Sequence, residues 1–293
     1  IVRLGAVCTL LAFALILFDK SFMWLAMVMA LHAFFWHAIL PQFEAITLAH
    51  LRERPTFYSR VRLWGSIGFI VAVVGLGWLF DWLSLDSFPA AMLVIMLAIV
   101  ATAWRVPDAA PAPSSDSTVQ DGFWKQLWKP GVPAFFLCVA LMQSSHGPYY
   151  TFLTIHLEAL GYARGTIGLF WALGVLAEIV IFLVMARILD RFSLRRVLMA
   201  SMLLAAVRWV LLGYLADELL VLLLAQLLHA ASFGCFHSAA VHFVQRSFGI
   251  RHLGRGQAFY ATLSGMGGAL GALYAGYSWH VLGAGPTFLI ASA

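Results

Sequence analysis

The chain has 293 residues, is 62% hydrophobic and only 11% charged, carries a formal net charge of +5, and has a mean hydropathy of +0.90. Soluble domains carry roughly 25% charged residues, so most of this surface has to face lipid, and a water-soluble globular protein is excluded. The +5 is weak evidence for nucleic acid, and no alternation of ten-residue segments marks an outer-membrane barrel.

In chain order, apolar runs long enough to cross a bilayer fall at about 4–18, 22–48, 61–80, 88–105, 131–157, 165–188, 197–215, 219–243 and 257–281, with a tenth beginning near 283. The fold class expected is an all-α polytopic membrane protein of two helical bundles. Its parts are the remainder of an N-terminal bundle over 1–105, a Pro-, Ser- and Asp-rich linker over 106–130, and a C-terminal bundle over 131–293. Within the linker, FWKQLWK is expected to lie along the membrane face with its Trp residues at the interface. The first residue is Ile1 and the last, Ala293, lies inside an apolar run, so the chain reads as an internal fragment of a longer protein. Cys8, Cys138 and Cys235 sit in apolar runs, with neither disulfide nor metal-ligand spacing.

Charge alternates from loop to loop. Arg52, Arg54 and Arg60 lie in one connection, Arg105, Lys125 and Lys129 in another, and Arg187, Arg191, Arg195 and Arg196 in a third. Arg246, Arg251 and Arg255 follow, while the intervening connections hold mostly acids: Asp19 with Lys20, Asp81 with Asp86, Glu158 with Arg164, and Asp217 with Glu218. Under the positive-inside rule the arginine-rich loops and the linker are cytoplasmic. The expected location is a bacterial inner (plasma) membrane, crossed many times.

Ionisable residues inside spans cost from roughly 3 to more than 10 kcal/mol and are usually functional. Glu178 and Arg208 stand alone in apolar sequence, Glu44 and Arg62 lie at the edges of spans, and His37 precedes Glu44 by two turns. Each half thus offers an acid and a base on neighbouring helices, Glu44 with Arg62 and Glu178 with Arg208. The competing reading is that such pairs only lock helices together, or that the first pair snorkels. His146 lies in QSSHGPYY, and His229 is read equally as a proton carrier or as an interhelical hydrogen-bond donor. The pairs His32/His37 and His237/His242 are spaced by five residues, which does not suit a metal on one helix face. Glycine stripes at 65–77 and 264–276 favour close helix approach and hint at an internal repeat. There is no HExxH, no GxSxG and no pair of carboxylates at helical spacing, which argues against a membrane-embedded enzyme. A non-transporting sensor stays open as a third class.

Several of these motifs resemble the major facilitator superfamily. DRFSLRR, with Asp190, Arg191, Arg195 and Arg196, resembles its D-R-x-G-x-R-R cytoplasmic loop, Ser193 standing for the glycine. Glu44 and Arg62 are eighteen residues apart, followed by WGSIGF, as in lactose-permease-like symporters, where the glutamate and arginine bind substrate together. QSSHGPYYTF, QLLHAASFGCFHSAAVHF and RVRLWGSIGF look closer still to the 3-phenylpropionate transporter branch.

The resemblance implies that the first two helices and most of the twelfth are missing. It also implies a secondary transporter working by alternating access, with the proton as coupling ion and no other cofactor. Solute would be bound by Glu44, Arg62, Phe69, His146, Tyr149, Tyr150 and Arg208, and proton coupling would fall to Glu178 or His229. The family's relay acid, three residues after the histidine, is Ser232 here, which weakens the proton route of lactose permease. An aromatic carboxylate is the solute expected first, with a sugar or nucleoside as the alternative. The expected partners are the lipid bilayer and that solute, not nucleic acid, and the chain is expected to act as a monomer.

Overall fold

The computed structural model describes residues 2–50, 58–106 and 122–293; the side chains at 40–42, 44–45, 47–50, 58–63, 249–251 and 253 lie outside the description. The described backbone is almost wholly helical and contains no strand. The chain divides into two compact units, Ile1–Gly68 with Leu79–Ser115, and Phe69–Trp78 with Asp116–Ala293.

The first unit holds α1 (Val2–Ala14), α2 (Phe22–His50), the ends of α3 (Tyr58–Trp82) and α4 (Phe88–Arg105). Val2, Ala6, Ile39 and Ala103 form its core, closed by Trp36, Phe43, Ile46 and Val100. Gly5 lies against Ile39, so α1 and α2 meet where one of them has no side chain. At the turn between them the Trp24 indole donates to the Leu15 carbonyl at 2.8 Å.

In the second unit, α5 (Phe123–Leu127) ends the linker. Phe123 and Leu127 are buried while Trp124 and Trp128 are exposed, and the Phe123 ring stacks on Phe248 at 5.4 Å. The linker's end is therefore pinned to this unit by one face and offers its indoles on the other.

The run expected as one span over 131–157 is broken into α6 (Val132–Ser145) and α7 (Gly147–Ala159), with His146 at the joint. Pro148 has no N–H to give the Ser144 carbonyl one turn back. The Tyr274 hydroxyl supplies that donor at 3.2 Å. The rescue needs close approach, and Gly147 and Gly271 touch through bare backbone there. A helix interrupted at membrane depth is tolerated when neighbouring protein satisfies the freed group, as here.

Next come α8 (Arg164–Arg191), α9 (Leu194–Tyr214) and α10 (Leu219–Leu227), then a π turn over Ala230–Cys235, α11 (Phe236–Leu282) and α12 (Ala284–Ser292). Ser193 sits at the head of α9 with φ −64° and accepts a hydrogen bond from the Arg196 N–H at 3.4 Å, so it caps the helix in a conformation that asks for no glycine. α11 has 47 residues, about 70 Å if it ran straight. It does not: His237 Nδ1 lies 2.9 Å from the Tyr260 hydroxyl, and Gly256 packs on Val244 and Phe248. The chain doubles back between Phe248 and Gly256, so two antiparallel arms take the place of the two spans expected at 219–243 and 257–281.

Six helical segments are long and apolar enough by themselves to span a bilayer among the described residues: Phe22–Ile39, Trp64–Trp82, Leu85–Arg105, Arg164–Arg191, Leu194–Tyr214 and Leu219–Phe248. The other expected spans differ for stated reasons. Val2–Leu17 is short, 131–157 is broken at His146, and the return arm of α11 is rich in Gly, Ser and Tyr. Of the glycine stripes, Gly77 lies against the Arg164 backbone, Gly267 against Ala140 and Gly271 against Ser144, whereas Gly68, Gly75, Gly265, Gly268 and Gly276 have open space beside them. Close packing is thus confined to a few positions of each stripe.

Gly271→Val places a branched side chain against the Ser144 and Gly147 backbone. A loss of about 1–3 kcal/mol is expected, seen as a lower unfolding temperature in detergent, whereas Gly268→Val leaves that temperature unchanged.

Candidate functional site

Arg208, on α9, is completely buried. A guanidinium at membrane depth needs partners on its edge and faces. Its Nε donates to the Ala225 carbonyl at 2.8 Å, one terminal nitrogen donates to His229 Nδ1 and to Ser232 Oγ, each at 3.2 Å, and the other donates to Gln226 Oε1 at 3.3 Å. Its carbon lies 4.0 Å from the Tyr149 ring centroid and 4.7 Å from that of Trp209, giving it an aromatic on each of two contacts. The Tyr149 hydroxyl donates to the same Gln226 oxygen at 3.0 Å. Four of the five guanidinium N–H groups are therefore engaged by the chain itself.

Gln226, His229 and Ser232 are three residues apart and so share one face, and a π turn begins just after His229. Ala225, Gln226, His229 and Ser232 all lie on α10 or in the turn after it. Such turns recur at functional sites because they re-aim side chains and carbonyls.

Since the arginine must donate, His229 Nδ1 is the acceptor, and the proton of the neutral ring sits on Nε2. That nitrogen lies 3.6 Å from Glu178 Oε2. Glu178 was expected to pair with Arg208; His229 bridges the two, one ring nitrogen toward each. Two glycines make room for the bridge. A Cβ at Gly174, one turn before Glu178 on α8, would stand 3.5 Å from the His229 ring, and one at Gly234 would meet Ile181 at 2.7 Å and Glu178 Cγ at 3.4 Å. Glu178 keeps 17% side-chain exposure against 7% for His229, so the acid is the member of the pair nearer to open space.

Around this centre are aromatic and polar groups. His146 donates Nδ1–H to the Met142 carbonyl at 2.8 Å and meets the Trp209 ring edge-on at 4.8 Å. Tyr149 stacks on His229 at 5.6 Å. Tyr150 is 51% exposed and lies parallel to Trp171 at 6.3 Å. The Trp171 indole in turn donates to Thr154 Oγ1 at 3.3 Å. His146 Nε2, Gln226 Nε2 and Trp209 Nε1 are buried and have no hydrogen-bond partner among the described residues.

Of the residues singled out in the sequence, the structure thus brings together His146, Tyr149, Tyr150, Glu178, Arg208 and His229. Phe69 lies on α3, 41% exposed. The side chains of Glu44 and Arg62 lie outside the described residues. Asp190, Arg191, Arg195 and Arg196 lie at the α8–α9 connection, away from this centre. Sequence reasoning missed Gln226, Trp171 and Trp209. Gln226 had a signal, a lone amide inside LLVLLLAQLLH; a tryptophan in an apolar span has none. Ser232, read only as a lost acid, proves to be a hydroxyl partner of Arg208.

A polytopic helical membrane protein with a buried Glu–His–Arg cluster beside an open aromatic face is the class this geometry defines. The chain belongs to the MFS_1 like family, which it matches over residues 1–290, and so to the major facilitator superfamily. It is 30% identical over 307 aligned residues to a protein of Escherichia coli (strain K12) named probable 3-phenylpropionic acid transporter, covering 99% of this chain and 78% of the relative. It is 28% identical to a maltose permease of Geobacillus stearothermophilus, covering 82% and 61%. The crystal structure of the nucleoside transporter NupG superposes with a TM-score of 0.80 at 17% identity, covering 99% of this chain and 78% of that one, and shares the fold. The chain is a membrane protein of a transporter family, and its named relatives are transporters rather than enzymes.

Arg208 is the buried cation of the cluster, so removing it takes away its charge and leaves the Ala225, Gln226, His229 and Ser232 acceptors without their donor. Arg208→Gln is expected to cost about 3–5 kcal/mol, and adding Glu178→Gln to it restores part of that loss. Thermal unfolding of the two single variants and the double variant in detergent reads the coupling.

Proposed function

We propose that this chain belongs to a proton-coupled symporter for a small aromatic carboxylate such as 3-phenylpropionate. Two bundles, 1–105 and 131–293, joined by the linker 106–130, would rock about a midplane site and expose it to each side in turn. The observation that carries the reading is the contact of Glu178 with the far nitrogen of a histidine whose near nitrogen is held by a buried arginine. In that arrangement the carboxyl exchanges a proton with its surroundings, His229 passes the arginine's influence to it, and any shift of the ring changes its hold on the proton.

The distribution of roles follows from the free hydrogen-bonding capacity. Arg208 has four of its N–H groups committed within the chain. It acts as a positioning residue for His229 rather than as the solute's clamp. Arg62, with Glu44, is then the proposed binder of the solute's carboxylate, because a guanidinium grips that group through forked hydrogen bonds. Tyr150 and Trp171 form the open aromatic face on which a phenyl ring stacks, with Phe69 assigned to the same apolar contact. His146 Nε2 and Gln226 Nε2 hold unused polar capacity close to it. The name of the Escherichia coli relative supports an aromatic acid. The 28% identity to a maltose permease supports a second reading, a sugar, for which the same polar groups would meet hydroxyls. The arginine-rich loops and the linker are assigned to the cytoplasmic side of a bacterial inner membrane.

Added 3-phenylpropionate is expected to alkalinise the medium around vesicles of the intact protein, and maltose is not. Glu178→Gln abolishes this proton movement while exchange of labelled solute across the membrane persists. Solute-driven proton movement that survives in Glu178→Gln contradicts the assignment.

A further inference from the structure

His229 is buried and Glu178 keeps 17% side-chain exposure, so a coupled proton that leaves toward the arginine-bearing end of the hairpin has to pass along the bundle. His229, Phe233 and His237 lie on one face of the π turn and the start of α11. Their rings are nearly parallel: His229 and Phe233 are 5.3 Å apart at 8°, and Phe233 and His237 are 5.9 Å apart at 4°. The last ring is fixed from the return arm of α11, where Tyr260 OH lies 2.9 Å from His237 Nδ1. His237 is half-buried, and the column runs from the buried cluster toward the end of the hairpin that bears Arg246 and Arg255. The groups facing His229 are Glu178 of α8, Arg208 of α9, and Tyr149 and His146 at the α6–α7 joint. Tyr260 faces His237.

We propose that His237, held by Tyr260, is the proton-exchange station between the Glu178–His229 pair and the arginine-bearing end of the hairpin, and that the Phe233 ring is the gate between them. This rests on the proton-coupled reading above. Eight residues of helix separate the two histidines by about 12 Å, too far for a direct transfer, and the phenyl ring between them neither accepts nor donates a proton. When Phe233 swings aside, water joins the two. The Glu178 carboxyl gives its proton to that water chain, and the chain delivers one to the lone-pair nitrogen of neutral His237. The imidazolium then returns a proton to bulk water, leaving a carboxylate and a neutral ring. With Phe233 in place the wire is cut, which prevents a leak when no solute is bound.

The test needs no solute. Purified intact protein is reconstituted in vesicles loaded with a pH-sensitive dye, and proton entry is followed under a potassium diffusion potential. Unaltered protein is expected to be tight, Phe233→Ala to admit protons several-fold faster, and Phe233→Ala with His237→Gln to return toward the tight baseline. Should Phe233→Ala fail to incorporate, Phe233→Leu takes its place, with a smaller leak lost in the same way on adding His237→Gln. A gate variant as tight as the unaltered protein overturns the proposal, as does a leak indifferent to His237. The outcome is separable from the solute assignment: a His237-dependent leak supports the pathway even where 3-phenylpropionate moves no proton, and vesicles in which 3-phenylpropionate moves protons but no such leak appears refute the gate alone.

Discussion

A guanidinium buried in a membrane bundle must be hydrogen-bonded by the protein or it is too costly to keep, and Arg208 imposes that condition on the helices around it. The Ala225 carbonyl, the Gln226 amide, His229 and Ser232 all turn toward it, and Tyr149 and Trp209 cover it. An α-helix keeps its carbonyls for its own ladder, and Gln226, His229 and Ser232, three residues apart, share one face of it. The π turn over Ala230–Cys235 departs from that ladder at the point where the arginine's partners are drawn. The glycines at 174 and 234 lie on either side of the α8 contact, the first facing the His229 ring and the second facing Ile181 and Glu178.

The cluster holds positive and negative charge without direct reliance on one ion pair. His229 is the intermediary, its tautomer set by the donor it must accept from. A buried pair is a poor device for stability, because desolvation offsets most of the attraction. As a switch it is well suited: the energies are large, and small ring displacements change them. Ser232 completes the arginine's set of partners from the π turn. The hydroxyl satisfies the arginine without adding charge, and the carboxylate of the cluster stands on the facing helix, as Glu178 on α8.

Much of this was legible in the residues, for physical reasons. Glu178 and Arg208 stand out because a charge in twenty apolar residues is expensive, and the alternation of arginine-rich and acidic loops follows from how membranes are crossed. The break at His146 is not among these, since 131–157 reads as one apolar span and the effect of Pro148 shows only in the structure. Other features were not legible. That His229 lies between the acid and the base depends on helix rotation, which apolar runs do not encode. Gln226 and Trp171 gain meaning only from neighbours distant in sequence. The small-residue stripe of 264–276 could be seen, but not that only Gly267 and Gly271 within it carry the close contacts. The resemblance came from short motifs, and the match over residues 1–290 shows the MFS_1 like family for nearly the whole chain.

The central claim is that Glu178 is the carboxyl that gains and loses the coupled proton. Infrared difference spectroscopy of the membrane-reconstituted protein, recorded across a pH step, observes that carboxyl directly through its C=O stretch. The account predicts a protonated-carboxyl band that appears on acidification, is absent in Glu178→Gln, and shifts when Arg208 or His229 is substituted. The same band persisting unchanged in Glu178→Gln would contradict it.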